Sequence, residues 1–198
     1  MFDMISAVLL AAGESRRMGA FKQLLLFEGK TFVERCVDEI LASKTDELVV
    51  VTGHREDDVR RAIGDRPVGF AHNPDYKLGM SSSLTCGVAA VASTADAVLI
   101  ALADQPQLTA AIFNEVIEAY QQQRPLLVVP SYSGRNGHPI IVDLKLREEI
   151  LAVDPEQGLR LVVRAHAADT MHLAVSTDLI LKDFDYPEDL DSAPQGRE

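Results

Sequence analysis

Apolar runs and polar, helically spaced stretches alternate along nearly the whole chain. Residues 4–11 (MISAVLLA) are an apolar run that empties into small residues, the pattern of a strand buried on both faces. The same pattern returns at 47–52 (ELVVVT) and 95–102 (ADAVLIAL), and shorter runs at 68–72, 126–130, 140–142, 171–175 and 179–182 read as further strands. Residues 31–43 are amphipathic at helical spacing, and Thr31 with Glu34 forms a capping-box signature. Helices are also predicted over 54–63, 79–91, 109–123 with Thr109 as N-cap, 144–153 and 158–165. Residues 23–27 read as extended, and the glycine-rich turn YSGRNGHP at 132–139 returns the chain as a hairpin into 140–142. Buried strands linked by helices require parallel crossovers with helices on both faces. The expected fold is therefore α/β: a three-layer α/β/α sandwich around a Rossmann-like, mostly parallel sheet. It should form a single domain over residues 1–191, with a frayed polar tail at 192–198.

In such sheets ligands gather outside the carboxyl ends of the strands. Three predicted strand exits are unusual. The first strand opens into Ala11-Ala12-Gly13 and then a loop holding Arg16, Arg17 and Lys22, opposed locally by Glu14 alone. Small residues let backbone N–H groups approach a ligand, and three cations close together neutralise a polyphosphate. Neither a Walker A loop nor a dinucleotide fingerprint is present, so the loop by itself reads equally as a solvated surface turn. The third exit of the predicted sheet, at Asn73-Pro74, leads to Gly79-Met80 and Ser81 to Ser83 at a helix start, where serines serve as caps or read an anion or a base. The most apolar strand ends in Ala103-Asp104-Gln105-Pro106, and a carboxylate there suits Mg²⁺, which takes one or two carboxylates plus the phosphates of its nucleotide. Asp183 and Asp185 in KDFDYPEDL are candidates for the second carboxylate.

Composition narrows the partners. With 198 residues, 47% hydrophobic and 25% charged, the chain has an ordinary globular make-up. A formal net charge of −11 argues against nucleic acid or an anionic membrane as partner, so an anionic ligand needs a local cationic pocket. Cys36 lies in a helical apolar stripe and reads as core, and with Cys86 it makes neither a disulfide framework nor a metal spacing. Reduced thiols and the absence of a signal-like start or a membrane-length apolar run point to the cytoplasm.

Taken together, LAAGESRRMGAFKQLL, NPDYKLGMSSSL, ALADQPQL, GRNGHP and DFDYPEDL resemble the molybdenum-cofactor cytidylyltransferase family, within the MobA-like nucleotidyltransferases. The motifs run in the family's order from Leu10 to Leu190. The resemblance implies a sheet of the nucleotide-diphospho-sugar transferase type. It implies an enzyme that transfers CMP from CTP to the terminal phosphate of molybdopterin or molybdenum-loaded molybdopterin, with release of pyrophosphate, and a molybdenum hydroxylase apoenzyme as a further partner. Carried over by residue, Leu10, Ala11, Ala12 and Gly13 are expected on the base and ribose side. Arg17 and Lys22 would hold the triphosphate and act in catalysis with Asp104. Gly79, Ser81 and Ser83 would complete the nucleotide site, Asp104 and Asp185 would hold Mg²⁺, and Gly137, His138 and Pro139 would face the acceptor. Relatives using GTP tend to read LAGG, so the Ala12 methyl is the expected determinant of a pyrimidine. Tyr186 departs from the family's usual Thr, which puts the neighbouring Asp185 in question as a metal ligand. Two alternatives stay open: a nucleotidyltransferase for another phosphorylated acceptor, and a non-catalytic protein that hands finished cofactor to a hydroxylase.

Overall fold

A computed structural model of the chain describes residues 3–16, 18–153, 158–186 and 188–189. The expectations for Arg17, for a helix start at Pro187 and for the tail at 192–198 fall outside the described residues. In chain order the strands are β1 (Ile5–Leu10), β2 (Leu26–Phe27), β3 (Lys30–Thr31), β4 (Glu47–Thr52), β5 (Gly69–His72), β6 (Ala97–Leu102), β7 (Leu127–Tyr132), β8 (Arg135–Asn136), β9 (Ile140–Asp143) and β10 (Thr170–Ala174). The helices are α1 (Phe32–Leu41), α2 (Glu56–Ile63), α3 (Met80–Ala90), α4 (Ala110–Gln123), α5 (Arg147–Leu151) and α6 (Leu159–Ala165).

An eight-stranded sheet runs in the order β10-β7-β9-β6-β1-β4-β5, with β8 paired to β7 alone. β1 sits at its centre, parallel to β4 and β6, with Leu10 opposite Val51 on one side and Leu102 on the other. β9 runs antiparallel to both β6 and β7, so the sheet is mostly parallel, as expected. Period-two alternation sorts the strand side chains into two apolar layers. Ala7, Leu9, Val50 and Leu99 bury against α1, α2 and α4. Val8, Val51, Val98 and Ile100 bury against α3, α5 and α6. Each such fully buried Val, Leu or Ile stabilises the fold by about 1.5–3 kcal/mol.

Local signals succeed where the side chain can reach the backbone nearby. Thr31 and Glu34 form the predicted capping box at α1, and Cys36 lies in the core, its thiol pushed up by burial. Elsewhere tertiary partners override them. Thr109 makes no side-chain cap; Glu39 from α1 accepts from Ala110 N (2.7 Å) and so satisfies the start of α4. Residues 22–24 form a 3-10 turn rather than an extended stretch. The run at 179–182 also winds into a 3-10 turn, Asp178–Leu181, because the Thr177 side chain accepts from Leu179 N and starts it. No helix among the described residues is long and apolar enough to cross a membrane.

Candidate active site

β1 and β6 lie side by side and end together, which brings the loop after Leu10 beside Asp104. The loop is shaped by a residue the sequence reading passed over. Gln23, 6% exposed, donates through Nε2 to Ala11 O (3.2 Å) and Gly13 O (3.1 Å), while its Oε1 accepts from Ser15 Oγ (3.1 Å). The same Ser15 Oγ accepts from Lys22 N (3.1 Å). Gln23 thus ties both ends of the loop to its own turn and turns Lys22 inward, where it is 7% exposed.

Lys22 Nζ meets two carboxylates: Asp104 Oδ2 at 3.4 Å and Asp185 Oδ1 in a short ion pair. Asp185 reaches this place from the far end of the chain because its neighbour is anchored. Phe184 packs against Phe27, Phe32 and Met18, and Phe184 N donates to Asp104 O (3.1 Å). Gln107 Nε2 holds the preceding residues through Leu179 O (3.0 Å) and Lys182 O (2.7 Å). Asp189 Oδ2 accepts from Asp185 N and Tyr186 N, each at 2.8 Å. Tyr186, half exposed, therefore does not carry Asp185 out of place.

The Asp104 and Asp185 pair suits a divalent cation. They converge on one cation already, the Lys22 ammonium, and Asp104 Oδ1 is buried with no hydrogen-bond partner. Burial pushes the Asp104 carboxyl above the usual carboxylate range; the Lys22 charge opposes this, and Asp183 and Asp185 add to it. A group in that state gains from a cation that offsets its desolvation.

Around this centre lies a cavity of about 300 Å³, lined by Leu10, Ala12, Gly13, Lys22, Gly79 and Ser83 together with Asp104 and Asp185. Arg16 also lines it, paired with Glu14 (Nε to Oε2, 2.7 Å). Ala11, 1% exposed, belongs to the apolar layer below and does not line the cavity. Asn73, 3% exposed, donates to Ser82 Oγ (2.9 Å) and to the cavity-lining Ser83 Oγ (3.0 Å), tying the exit of β5 to the start of α3. Gly79 takes φ 110°, a conformation that favours glycine, and turns the chain into α3 with the helix's positive end at the cavity.

A second cavity of about 730 Å³ shares Leu10, Met80 and Leu102 with the first. Ser81 lines this one rather than the smaller one, and Gly137 and His138 lie on its wall. The hairpin between β7 and β9 is held by Gly137 N to Pro130 O (2.9 Å) and His138 N to Ile180 O (3.2 Å). A Cβ on Gly137 would stand 2.2 Å from Ile180 O, so only glycine lets the turn dock there. Pro139 is buried behind His138. Burial holds the His138 imidazole below its ordinary value, with the Asp183 charge opposing. Asp183 also accepts from Gln105 Nε2 (2.8 Å) and lines the second cavity. Asn136, from the GRNGHP turn, and Arg160 and Arg164 complete its polar rim; no motif in the sequence pointed to the two arginines.

The profile of the MobA-like NTP transferase domain matches residues 7–170. Nicotine blue oxidoreductase from Paenarthrobacter nicotinovorans is 32% identical over 169 residues, covering 81% of each chain. Molybdenum cofactor cytidylyltransferase from Escherichia coli K12 is 25% identical over 192 residues, covering 96% of each. Among solved structures, Rv0371c from Mycobacterium tuberculosis H37Rv superposes with a TM-score of 0.85 at 25% identity, covering 96% of this chain and 97% of that one. A manganese complex of Rv0371c superposes with a TM-score of 0.82.

Proposed function

Because the chain belongs to the MobA-like NTP transferase family and is a nucleotidyltransferase of that family, we propose that it transfers CMP from CTP to the terminal phosphate of molybdopterin, or molybdenum-loaded molybdopterin. The product is molybdopterin cytosine dinucleotide, destined for a molybdenum hydroxylase. The observation that carries this reading is the meeting of two cavities at Leu10, Met80 and Leu102, one built around Lys22, Asp104 and Asp185 and the other around the Gly137-His138 turn. The likeness to the cytidylyltransferase, which covers 96% of each chain, supports this reading.

In this reading CTP occupies the smaller cavity, with its phosphates between the loop after Leu10 and the start of α3. Asp104 and Asp185 would hold Mg²⁺, which would supply charge neutralisation on the phosphates. Lys22 and Arg17 neutralise the triphosphate. The acceptor phosphate, a monoester already anionic near neutral pH, attacks the α-phosphorus through one of its own oxygens. The bond from the α-phosphorus to the bridging oxygen breaks, and pyrophosphate leaves with the electron pair. No general base is needed, so catalysis rests on in-line positioning and on charge held in place by the protein. His138, kept neutral by burial, positions the acceptor by hydrogen bonding. Ala12 narrows the base site toward the pyrimidine.

Incubating the protein with Mg²⁺, each of the four nucleoside triphosphates and molybdenum-loaded molybdopterin, then weighing the product, tests this directly. The cytidine dinucleotide is expected. A guanosine product overturns the role given to Ala12, and no dinucleotide with any triphosphate overturns the reading. The 32% likeness to nicotine blue oxidoreductase favours one second reading, redox chemistry on nicotine blue. Loss of that dye's absorbance in the presence of NADH or NADPH, with no dinucleotide formed, is the result that selects it.

A further inference from the structure

The sheet order divides the smaller cavity into two ends. β6 lies on one side of β1, while β4 and then β5 lie on the other. Asp104 follows β6, so the charged centre belongs to the first end. Tyr76 starts a 3-10 turn, Tyr76–Leu78, that follows β5, and it lines the cavity from the second end. In the nucleotidyl-transfer reading the metal and phosphates occupy the first end, which leaves the second to the base.

Gly53, the residue after β4, sets where Tyr76 sits. A Cβ on Gly53 would stand 2.8 Å from Tyr76 Cβ, 2.9 Å from Tyr76 Cδ1 and 2.9 Å from Ala12 Cβ. Without that atom the tyrosine side chain lies over the Gly53 backbone and packs on the apolar layer that holds Ala12, Val51 and Leu84. Ala12 is fixed in turn, because its carbonyl accepts from His54 N (3.1 Å). The His54 ring, which does not line the cavity, stands 6.1 Å from the Tyr76 ring at a tilt of 47°. Phe21 meets His54 edge-on at 5.5 Å, and the Arg55 guanidinium covers Phe21 at 4.9 Å from its centroid. The turn itself is closed by Asp75 N to Asn73 Oδ1 (2.9 Å), Leu78 N to Asp75 O (2.9 Å) and Gly79 N to Tyr76 O (3.2 Å). Tyr76 is therefore a braced wall rather than a loose surface ring.

We propose that Tyr76, seated on Gly53 and Ala12, is the end wall of the base subsite and sets its depth, so that a single-ring base fits against it and a fused two-ring base does not. This rests on the nucleotidyl-transfer reading for the presence of a nucleoside triphosphate in the cavity. It extends the role given to Ala12, because the methyl and the ring touch one another and form one continuous surface. Close-packed, backed side chains yield space only at a cost, so the wall excludes purines by steric clash as well as accommodating pyrimidines. Tyr76 acts on the choice of base and takes no part in the phosphoryl chemistry.

Equilibrium dialysis of CTP and GTP, each with Mg²⁺, tests the wall without acceptor or turnover. The native protein should bind CTP more tightly than GTP. Tyr76→Ala should cut the CTP-over-GTP affinity ratio by about tenfold or more through tighter GTP binding, since it opens more space than one methylene, which alone alters discrimination by about tenfold or more. Tyr76→Phe keeps the ring and should rescue the native ratio. A ring that served packing alone would weaken both nucleotides alike on removal and leave the ratio where it was. Tyr76→Leu, which retains apolar contact with Gly53, should shift the ratio in the same direction and gives the measurement if the alanine variant does not fold. An unchanged ratio in the folded Ala or Leu variant, or equal binding of CTP and GTP by the native protein, overturns the proposal. If no dinucleotide forms with any triphosphate, the transfer reading fails, and the nucleotide ratios still decide the role of Tyr76.

Discussion

The two cavities differ in how the chain builds them. The smaller one sits at the carboxyl ends of adjacent parallel strands, and its working groups come from short, sharp loops: Gly13 and Lys22 after β1, Asp104 after β6. It is tight, and its charged groups are bound to one another through Lys22. The larger one is formed where the sheet turns antiparallel, between the hairpin before β9 and α6, and its floor is apolar. The difference teaches a division of labour. In the proposed function, parallel strand ends supply the fixed charge that phosphoryl chemistry demands, while the antiparallel addition supplies the roomier surface assigned to the acceptor.

The sharpest way to break this comparison is to remove charge from the smaller cavity. Asp104→Asn should lower the rate of pyrophosphate release by about a hundredfold to a thousandfold, the scale of losing one preorganised electrostatic contact, while CTP still binds. Near-native turnover measured by a coupled pyrophosphate assay removes Asp104 from the mechanism. On the other side, Gly137→Ala forces a Cβ against Ile180 O and should cost about 1–3 kcal/mol of stability by overpacking. It should also weaken acceptor binding while leaving CTP affinity intact; equal loss of both in paired titrations shows that the cavities are not separable.

A smaller effect is expected from Lys22→Met, which removes the ammonium that Asp104 and Asp185 share. Because these carboxylates are partly solvated, the loss should fall at about 1–3 kcal/mol, between the exposed-pair and buried-pair limits. Added Mg²⁺ should recover a large part of the melting temperature in this variant and less in the native protein; no recovery sinks the carboxylate pair as a metal site. The smallest effect belongs to His138. Its folded pKa lies below its ordinary value, so below about pH 6.5 the unfolded chain binds more protons than the folded one. The stability contributed by His138 should therefore fall as pH drops through about 6.5 toward the folded value. Denaturant midpoints measured from pH 7.5 to 5.5 should slope less in His138→Gln than in the native chain.

Much of the smaller cavity was legible because its signals are contiguous. Ala12-Gly13, Lys22 and Asp104 each follow an apolar run that reads as a buried strand, and strand ends gather at one edge of a parallel sheet. Gln23 escaped notice because a glutamine beside a lysine carries no local signature; its role depends on two carbonyls twelve and ten residues away. In the larger cavity the sequence pointed to Gly137 and His138 for the acceptor, and to Ser81 and Asp183 only for other roles. Arg160 and Arg164 sit on an ordinary amphipathic helix, and nothing in their spacing tells a solvated face from a cavity wall.

By itself the sequence determined the layered α/β architecture, the strand exits that carry chemistry and the capping box of α1, because periodicity and caps act over a few residues. Only the tertiary structure decided that Lys22 turns inward between Asp104 and Asp185, that Glu39 and not Thr109 starts α4, and that Ser81 belongs to the second cavity. Those outcomes depend on partners up to 163 residues away along the chain. Packing of Phe184 on Phe27 and Phe32, which no local pattern encodes, is what brings that distant carboxylate home.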